Sequence, residues 1–337
     1  MRAYELRVPG AEDGLVLNRD RSIPAPGPGE ILVRMRAASL NYRDLLVRQG
    51  RYRGVLQPNL VPLSDGAGEV VAVGAGVTAF EPGGRVAGTF FPRWPAGAPS
   101  AEATASALGG SAPGVLAEYT VLSEGGAVSV PEHLSFEEAA TLPCAALTAW
   151  NAVVEVARAG AGDTVLLLGT GGVSIFALQF SRLHGARVLI TSGSDEKLAR
   201  ARYLGADGGV NYRTAPDWEQ EVLRLTGGRG VDLVVEVGGA GTLERSLRAV
   251  RVGGTIAMIG VLAGAGAVDP RPLLGKSARL QGIYVGSGEM FAAMNRAIAA
   301  HRLYPVIDRV FAFDEALAAY DHLAAGRHFG KVVINIQ

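Results

Sequence analysis

One cysteine in 337 residues, Cys144, excludes an intramolecular disulfide. It follows a proline in an apolar stretch, where packing rather than a reactive thiol is expected. Histidine is nearly as scarce. His133, His184, His301, His322 and His328 show no metal-ligand spacing, and residues 1–132 contain neither Cys nor His. A Cys/His zinc site therefore cannot be assembled from that stretch. Charge of one sign is missing too: 32 Lys+Arg face 32 Asp+Glu, so no global field draws the chain to nucleic acid or an anionic membrane. No apolar run reaches the ~18 residues of a membrane-spanning helix. The opening Met1-Arg2-Ala3-Tyr4-Glu5-Leu6 lacks the apolar core of a secretion signal, so a cytoplasmic protein is expected.

Glycine, by contrast, is abundant at 46 residues, about twice the usual ~7% share. Three glycines stand in the most informative stretch, Thr164-Val165-Leu166-Leu167-Leu168-Gly169-Thr170-Gly171-Gly172-Val173-Ser174. An apolar, β-prone run enters a glycine turn, and an apolar helical segment follows at once. Gly169 permits the tight turn, Gly171 lets backbone amides approach a pyrophosphate, and Gly172 and Val173 open a helix whose free N–H groups hold the anion. Ser174 stands at the third glycine position.

The next residues supply βαβ context. Short apolar runs at 187–191, 210–212, 231–238, 254–260 and 280–285 read as strands. Helical patterns lie between them, including one capped by Ser194 and others at 218–225 and 242–249. Strands that are apolar throughout imply a parallel sheet covered on both faces. Residues 1–125 differ: 31–37 alternates with period 2, and short β runs at 66–73, 84–88 and 116–121 are separated by Gly and Pro turns. The long segment 91–114 reads as a lid or a surface insertion. Helices at 291–300 and 314–325 precede a final strand at 331–336, expected to return to the first domain. The predicted fold class is α/β: a doubly wound Rossmann sheet over 126–289, plus a mostly-β domain over 1–125 completed by 290–337.

These segments, in this order, resemble the medium-chain dehydrogenase/reductase superfamily, in its zinc-free quinone-oxidoreductase-like branch. The matching residues are Ser39-Leu40-Asn41-Tyr42-Arg43-Asp44, Pro62-Leu63-Ser64-Asp65-Gly66-Ala67-Gly68-Glu69-Val70, Ala117-Glu118-Tyr119, and Leu142-Pro143-Cys144-Ala145-Ala146-Leu147-Thr148-Ala149-Trp150. The glycine turn and Phe329-Gly330-Lys331-Val332-Val333 complete them. The resemblance implies a GroES-like mostly-β catalytic domain, a Rossmann domain with a substrate cleft between the two, and a homodimer formed through the Rossmann domain. Zinc-dependent relatives carry Gly-His-Glu where this chain has Ser64-Asp65-Gly66, so no zinc is expected. The resemblance also implies that Asn41 and Thr148 lie near the nicotinamide, that Val237, Gly238, Gly260 and Val261 line the cofactor groove, and that Gly330 and Lys331 belong to cofactor binding.

A ribose 2′-OH of NAD(H) calls for a carboxylate about 20 residues past the glycines. Thr191-Ser192-Gly193-Ser194 stands there instead, followed by Lys197. Hydroxyls plus a cation suit a 2′-phosphate, and in NADP-dependent relatives a serine, a lysine and a tyrosine take it; Ser192, Lys197 and Tyr212 match. NADP(H) is the expected cofactor and NAD(H) the second choice, through Asp195 with Lys197 as a solvated helix residue. Without zinc, hydride transfer favours substrates that delocalise the developing negative charge, such as a quinone or an α,β-unsaturated carbonyl. Tyr42 and then Tyr52 are the candidate proton or hydrogen-bond donors, with packing roles as the alternative. A short-chain dehydrogenase is excluded, since no tyrosine has lysine four residues later. Alcohol oxidation by the same family stays open, as does a non-catalytic cofactor-binding or RNA-binding protein, although no basic stripe supports RNA.

Overall fold

The computed structural model describes residues 1–11, 13–52, 57–260, 262 and 266–336. Contacts gather them into two compact units, Met1–Leu147 with Gly286–Gln337, and Thr148–Val285.

The first unit opens with an antiparallel hairpin of β1 (Ala3–Leu6) and β2 (Leu15–Asn18). β3 (Glu30–Leu40) is the spine of a larger sheet; the alternation read at 31–37 shows only from Val33 to Ala37, and both flanking stretches, Ile31–Val33 and Ala37–Leu40, are buried throughout. It pairs antiparallel with β4 (Asp65–Val73), which pairs with β5 (Arg85–Gly88). β6 (Tyr119–Ser123) lies along the first half of β3, and β7 (Ala127–Ser129) lies on β5. Its core gathers Ile31, Val33, Met35, Leu63, Val115 and Leu122 with Phe311, Phe313 and Tyr320 from the end of the chain.

The second unit holds β8 (Thr164–Leu167), β9 (Arg187–Ser192), β10 (Gly208–Asn211), β11 (Val231–Glu236), β12 (Val250–Met258) and β13 (Arg279–Gly282). All are parallel, in the order β10-β9-β8-β11-β12-β13. The order reverses between β8 and β11, the switch point at which such sheets open a crevice beyond their carboxyl ends. Helices Gly172–Leu183, Asp195–Tyr203, Trp218–Leu225 and Ala240–Ala249 alternate with the strands. β13 ends earlier than the apolar run suggests, because the chain leaves the ladder after Gly282 and turns left-handed at Val285 (φ 57°).

The chain then returns to the first unit. β14 (Ile307–Phe311) pairs with β15 (Lys331–Asn335), and β15 completes the second half of β3, with Val332 opposite Leu40.

The division between units falls at 147/148 and 285/286, where the sequence reading set it at 125/126 and 289/290. Pairing that periodicity does not reveal ties 126–147 to the first unit. β7 joins β5, Asn335 Nδ2 donates to Glu137 Oε1 at 2.6 Å, and the Cys144 N–H donates to Asp65 Oδ2 at 3.1 Å. Likewise the Gly288 and Glu289 N–H groups donate to the Trp94 and Pro95 carbonyls. Segment 91–114 is folded into the same unit, with Trp94, Ala103, Ala107 and Leu108 buried and Ser100 capping a short helix, Ala101–Thr104.

Candidate functional site

The glycine turn sits at the carboxyl end of β8. Gly169 adopts a left-handed conformation (φ 72°), and its N–H donates to Thr191 Oγ1 on β9 at 3.2 Å. Gly171 is the N-cap of helix Gly172–Leu183, and Gly172 and Val173 form its first turn. The first N–H groups of a helix have no intrahelical partner and carry its positive end. Ser174 is buried, and its hydroxyl donates to the Leu168 carbonyl at 2.7 Å. This bond stitches strand to helix where a third glycine would allow bare close approach.

At the ends of β9 and β10 the predicted cofactor residues converge. Asn211 stands opposite Ser192 in the parallel register, and the Tyr212 N–H donates to the Ser192 carbonyl at 3.1 Å. Ser192 is buried and Tyr212 exposed. Ser192 Oγ accepts the Ser194 N–H, and Ser194 Oγ caps helix Asp195–Tyr203 by accepting the Lys197 N–H. Lys197 thus lies in the first turn of that helix. Asp195, the alternative ribose ligand, has Oδ1 taken by Asn211 Nδ2 at 2.9 Å.

Glu236, the last residue of β11, was not anticipated as a site residue. Its fully buried carboxylate accepts the Gly238 N–H (2.8 Å), the Gly239 N–H (3.1 Å) and the Thr242 hydroxyl (2.6 Å) on Oε1, and the Ser246 hydroxyl on Oε2. One side chain therefore shapes the Val237–Gly238 loop and the start of helix Ala240–Ala249. The Gly260 N–H donates to the Glu236 carbonyl, and a Cβ there would lie 1.9 Å from the Val237 carbonyl oxygen. Val237, Gly238 and Gly260 thus share one strand-end rim. Val261 lies outside the described residues. Thr148 is buried at the start of the same unit.

The remaining predicted residues belong to the first unit. Lys331 is 3% exposed, and its ammonium donates to the Leu40 carbonyl at 2.7 Å and to Asn41 Oδ1 at 2.6 Å, with Asp65 Oδ2 3.9 Å away. The structure thus joins Asn41 and Lys331, with the ammonium spent inside the unit; Gly330 precedes it in a left-handed conformation (φ 82°). Asp65 also accepts the Ser64 hydroxyl at 2.6 Å. The Asn41 N–H donates to Asp44 Oδ2 at 2.7 Å. Burial raises the carboxyl groups of both acids: that of Asp65 against the pull of Lys331, and that of Asp44 to about 6, against Arg43. Burial also pushes the Cys144 thiol far above its ordinary range, helped by Asp65, so the thiol stays protonated and a poor nucleophile. Tyr42, exposed, opens helix Tyr42–Arg48. Tyr52 packs by Leu6, Val47 and Leu60, with the Arg43 guanidinium 4.8 Å from its ring and 4.8 Å from that of Phe90. Burial works against the Arg43 charge, but Asp44 and the Tyr52 hydroxyl outweigh it and raise that guanidinium further. Asp44 and Asp65 lie inside motifs already quoted; nothing in their spacing signalled that they share one buried charge cluster.

Comparison with known proteins agrees with this layout. Residues 27–132 match the alcohol dehydrogenase GroES-like domain, and residues 172–300 match the zinc-binding dehydrogenase family. A zinc-type alcohol dehydrogenase-like protein of Schizosaccharomyces pombe is 46% identical over 316 residues, covering 92% of this chain and 91% of that protein. The chain belongs to the medium-chain dehydrogenase/reductase superfamily. It is an oxidoreductase of that superfamily. The quinone oxidoreductase of Rattus norvegicus is 28% identical, over 99% of this chain and 97% of that one. A crystal structure of an NAD-dependent alcohol dehydrogenase superposes with a TM-score of 0.91 at 37% identity, covering all of both chains.

Zinc serves some members of this superfamily, but the donor set here does not fit it. Among the described residues no three His, Cys, Asp or Glu side chains are grouped to hold a metal ion. Where zinc relatives place Gly-His-Glu, the Asp65 carboxylate faces a cation the chain itself supplies, the Lys331 ammonium. A divalent ion brought beside that ammonium would meet like-charge repulsion and find amide and carbonyl oxygens already occupied.

Proposed function

We propose that the protein is an NADP(H)-dependent reductase that delivers hydride to a quinone or an α,β-unsaturated carbonyl without zinc. The observation that carries this reading is the junction of Ser192, Lys197 and Tyr212 beside the glycine turn, with Asp195 drawn off by Asn211. Hydroxyls and a cation favour a 2′-phosphate, and a carboxylate would repel it. The strand-end rim of Val237, Gly238 and Gly260 supports a nucleotide groove, with its loop held rigid by Glu236.

A bound nicotinamide would supply the hydride. The protein's part is to bind the pyrophosphate on the helix that starts at Gly172, and to keep Asn41 fixed between Lys331 and Asp44. Hydride addition leaves negative charge on the substrate oxygen. In a conjugated acceptor that charge is spread over the π system, so hydrogen-bond donors and water suffice to stabilise and protonate it. Tyr42, with its exposed hydroxyl-bearing ring, is the first candidate donor; Tyr52, stacked on Arg43, is the second.

The reading extends to a cytoplasmic homodimer joined through the Rossmann unit. β13 supports it: this four-residue edge strand is exposed throughout and carries Leu280, with Leu274 exposed nearby. An uncovered edge invites pairing with a second copy. No helix among the described residues is long and apolar enough to cross a membrane. NAD-dependent alcohol oxidation is the second reading, favoured by the solved alcohol dehydrogenase at 37% identity.

The test is fluorescence titration with NADPH and NADH after chelation, followed by turnover on quinones, enones and alcohols. Tighter NADPH binding and chelator-resistant quinone or enone reduction are expected. Tighter NADH binding overturns the cofactor assignment, and activity lost to the chelator overturns the metal assignment. Binding without any turnover would make this a non-catalytic cofactor-binding protein. Sedimentation at micromolar concentration checks the dimer.

A further inference from the structure

Beyond the three residues matched by resemblance, the end of β10 brings a fourth group to the same place. Arg213 follows Tyr212, and both are exposed. A Cβ built on Gly193 would lie 2.8 Å from the Tyr212 hydroxyl and 2.9 Å from Arg213 Nε. Phenol and guanidinium thus rest together on the bare backbone of the turn that leaves β9, and a side chain at 193 would displace both. No hydrogen-bond or ion-pair partner engages the Arg213 guanidinium among the described residues, whereas its backbone is fixed: the Arg213 N–H donates to Asn211 Oδ1 at 3.0 Å. The other end of that same amide, Nδ2, donates to Asp195 Oδ1 at 2.9 Å. Asn211 therefore does two things at once. It aims the Arg213 backbone, and it ties down the carboxylate that would otherwise repel an anion or bid for a ribose hydroxyl. A guanidinium presents a planar fork of donors that matches phosphate oxygens two at a time, which a lysine ammonium cannot do.

We infer that Arg213 is the specificity-determining residue for a phosphomonoester at this corner, acting with the Tyr212 and Ser192 hydroxyls, and that Asn211 is its positioning residue. The inference rests on the NADP(H) reading above and deepens it, since the phosphomonoester is the 2′-phosphate of that nucleotide. It assigns the decisive charge to a residue that the family resemblance did not single out.

The experiment measures dissociation constants of NADPH, NADH, 2′,5′-ADP and 5′-AMP for the full chain and for Arg213→Gln, Arg213→Lys and Gly193→Ala. Loss of a bidentate charge-assisted contact amounts to roughly 10- to 100-fold in affinity. Arg213→Gln is expected to weaken NADPH and 2′,5′-ADP by about that factor, with NADH and 5′-AMP changed less than about twofold. Arg213→Lys should recover part of the loss, and Gly193→Ala should weaken the 2′-phosphorylated ligands by pushing both side chains off the turn. A parent protein that prefers NADPH, with Arg213→Gln unchanged toward all four ligands or weakened equally toward all, overturns the assignment of Arg213 while leaving the cofactor reading intact. A parent protein that prefers NADH overturns the cofactor reading itself and this inference with it.

Discussion

Asp44 is a single acid whose environment makes a measurable demand on the fold. It sits 1% exposed below Asn41, and burial lifts its carboxyl group from 3.8 to about 6. A carboxyl whose pKa is higher folded than unfolded binds more protons in the folded state between those two values. Folding stability therefore declines as pH rises from about 4 to about 6, and the decline is complete above that window. Two pKa units correspond to ~3 kcal/mol. Urea unfolding at pH 4.5 and pH 7 is expected to show this downward slope from the Asp44 contribution, and Asp44→Asn, which keeps an acceptor for the Asn41 N–H, should flatten it by up to ~3 kcal/mol. An unchanged slope in the variant would refute the assignment. Much at this scale was legible in the sequence. Gly169 and Gly171 could be named because a tight turn and a helix start facing an anion demand glycine, whereas Ser192 and Tyr212 were named through the family resemblance. Asp44, Asp65 and Arg213 could not, since a charged side chain looks solvated until neighbouring elements close over it or bring it to a ligand.

Elements are joined here by a few buried polar side chains. Lys331 on β15 reaches the end of β3 through Leu40 and Asn41 and stands beside Asp65 at the start of β4, so one ammonium links three strand ends. Removing one partner of a buried pair leaves the other charge uncompensated, at ~3–5 kcal/mol. Lys331→Met should lose stability of that order by chemical denaturation, and adding Asp65→Asn should restore part of it. Strict additivity would show that the two groups do not interact. In the nucleotide unit, Glu236→Ala deletes four acceptor contacts to a loop and helix start. A cost of at least ~3 kcal/mol is expected, together with weaker nucleotide binding, because the Val237–Gly238 rim loses its anchor. Loss of stability with unchanged affinity would mean that the rim does not meet the nucleotide. Strand periodicity found the six strands of the second unit but missed β1, β2, β7 and β14, and it began β10 two residues late. Gly208 and Gly209 look like turn residues, yet they belong to the strand because the Leu189 and Leu198 side chains press against them where a Cβ would stand. That is a packing demand between elements, invisible to a local pattern.

For the molecule as a whole, nucleotide binding and stability are linked. A ligand that binds only the folded chain adds ~2.7 kcal/mol at a hundredfold excess over its dissociation constant. At roughly 2–4 °C per kcal/mol for folded bodies of 150–250 residues, NADPH at that excess should raise the midpoint of thermal unfolding by about 5–10 °C, and NADH at the same concentration should raise it less. Equal shifts would remove the preference for NADP(H).

By itself the sequence determined the class of sheet in each half, the glycine turn, the absence of histidine and cysteine from the first 132 residues, and the family, because local periodicity and residue chemistry are written residue by residue. Only the tertiary structure decided where one unit stops and the next begins, that Lys331 fills a place among acceptors with its own charge, and that Arg213 comes to rest on Gly193. Those outcomes depend on strands distant in the chain meeting in a particular register, and register is settled by packing and hydrogen bonding across the whole sheet.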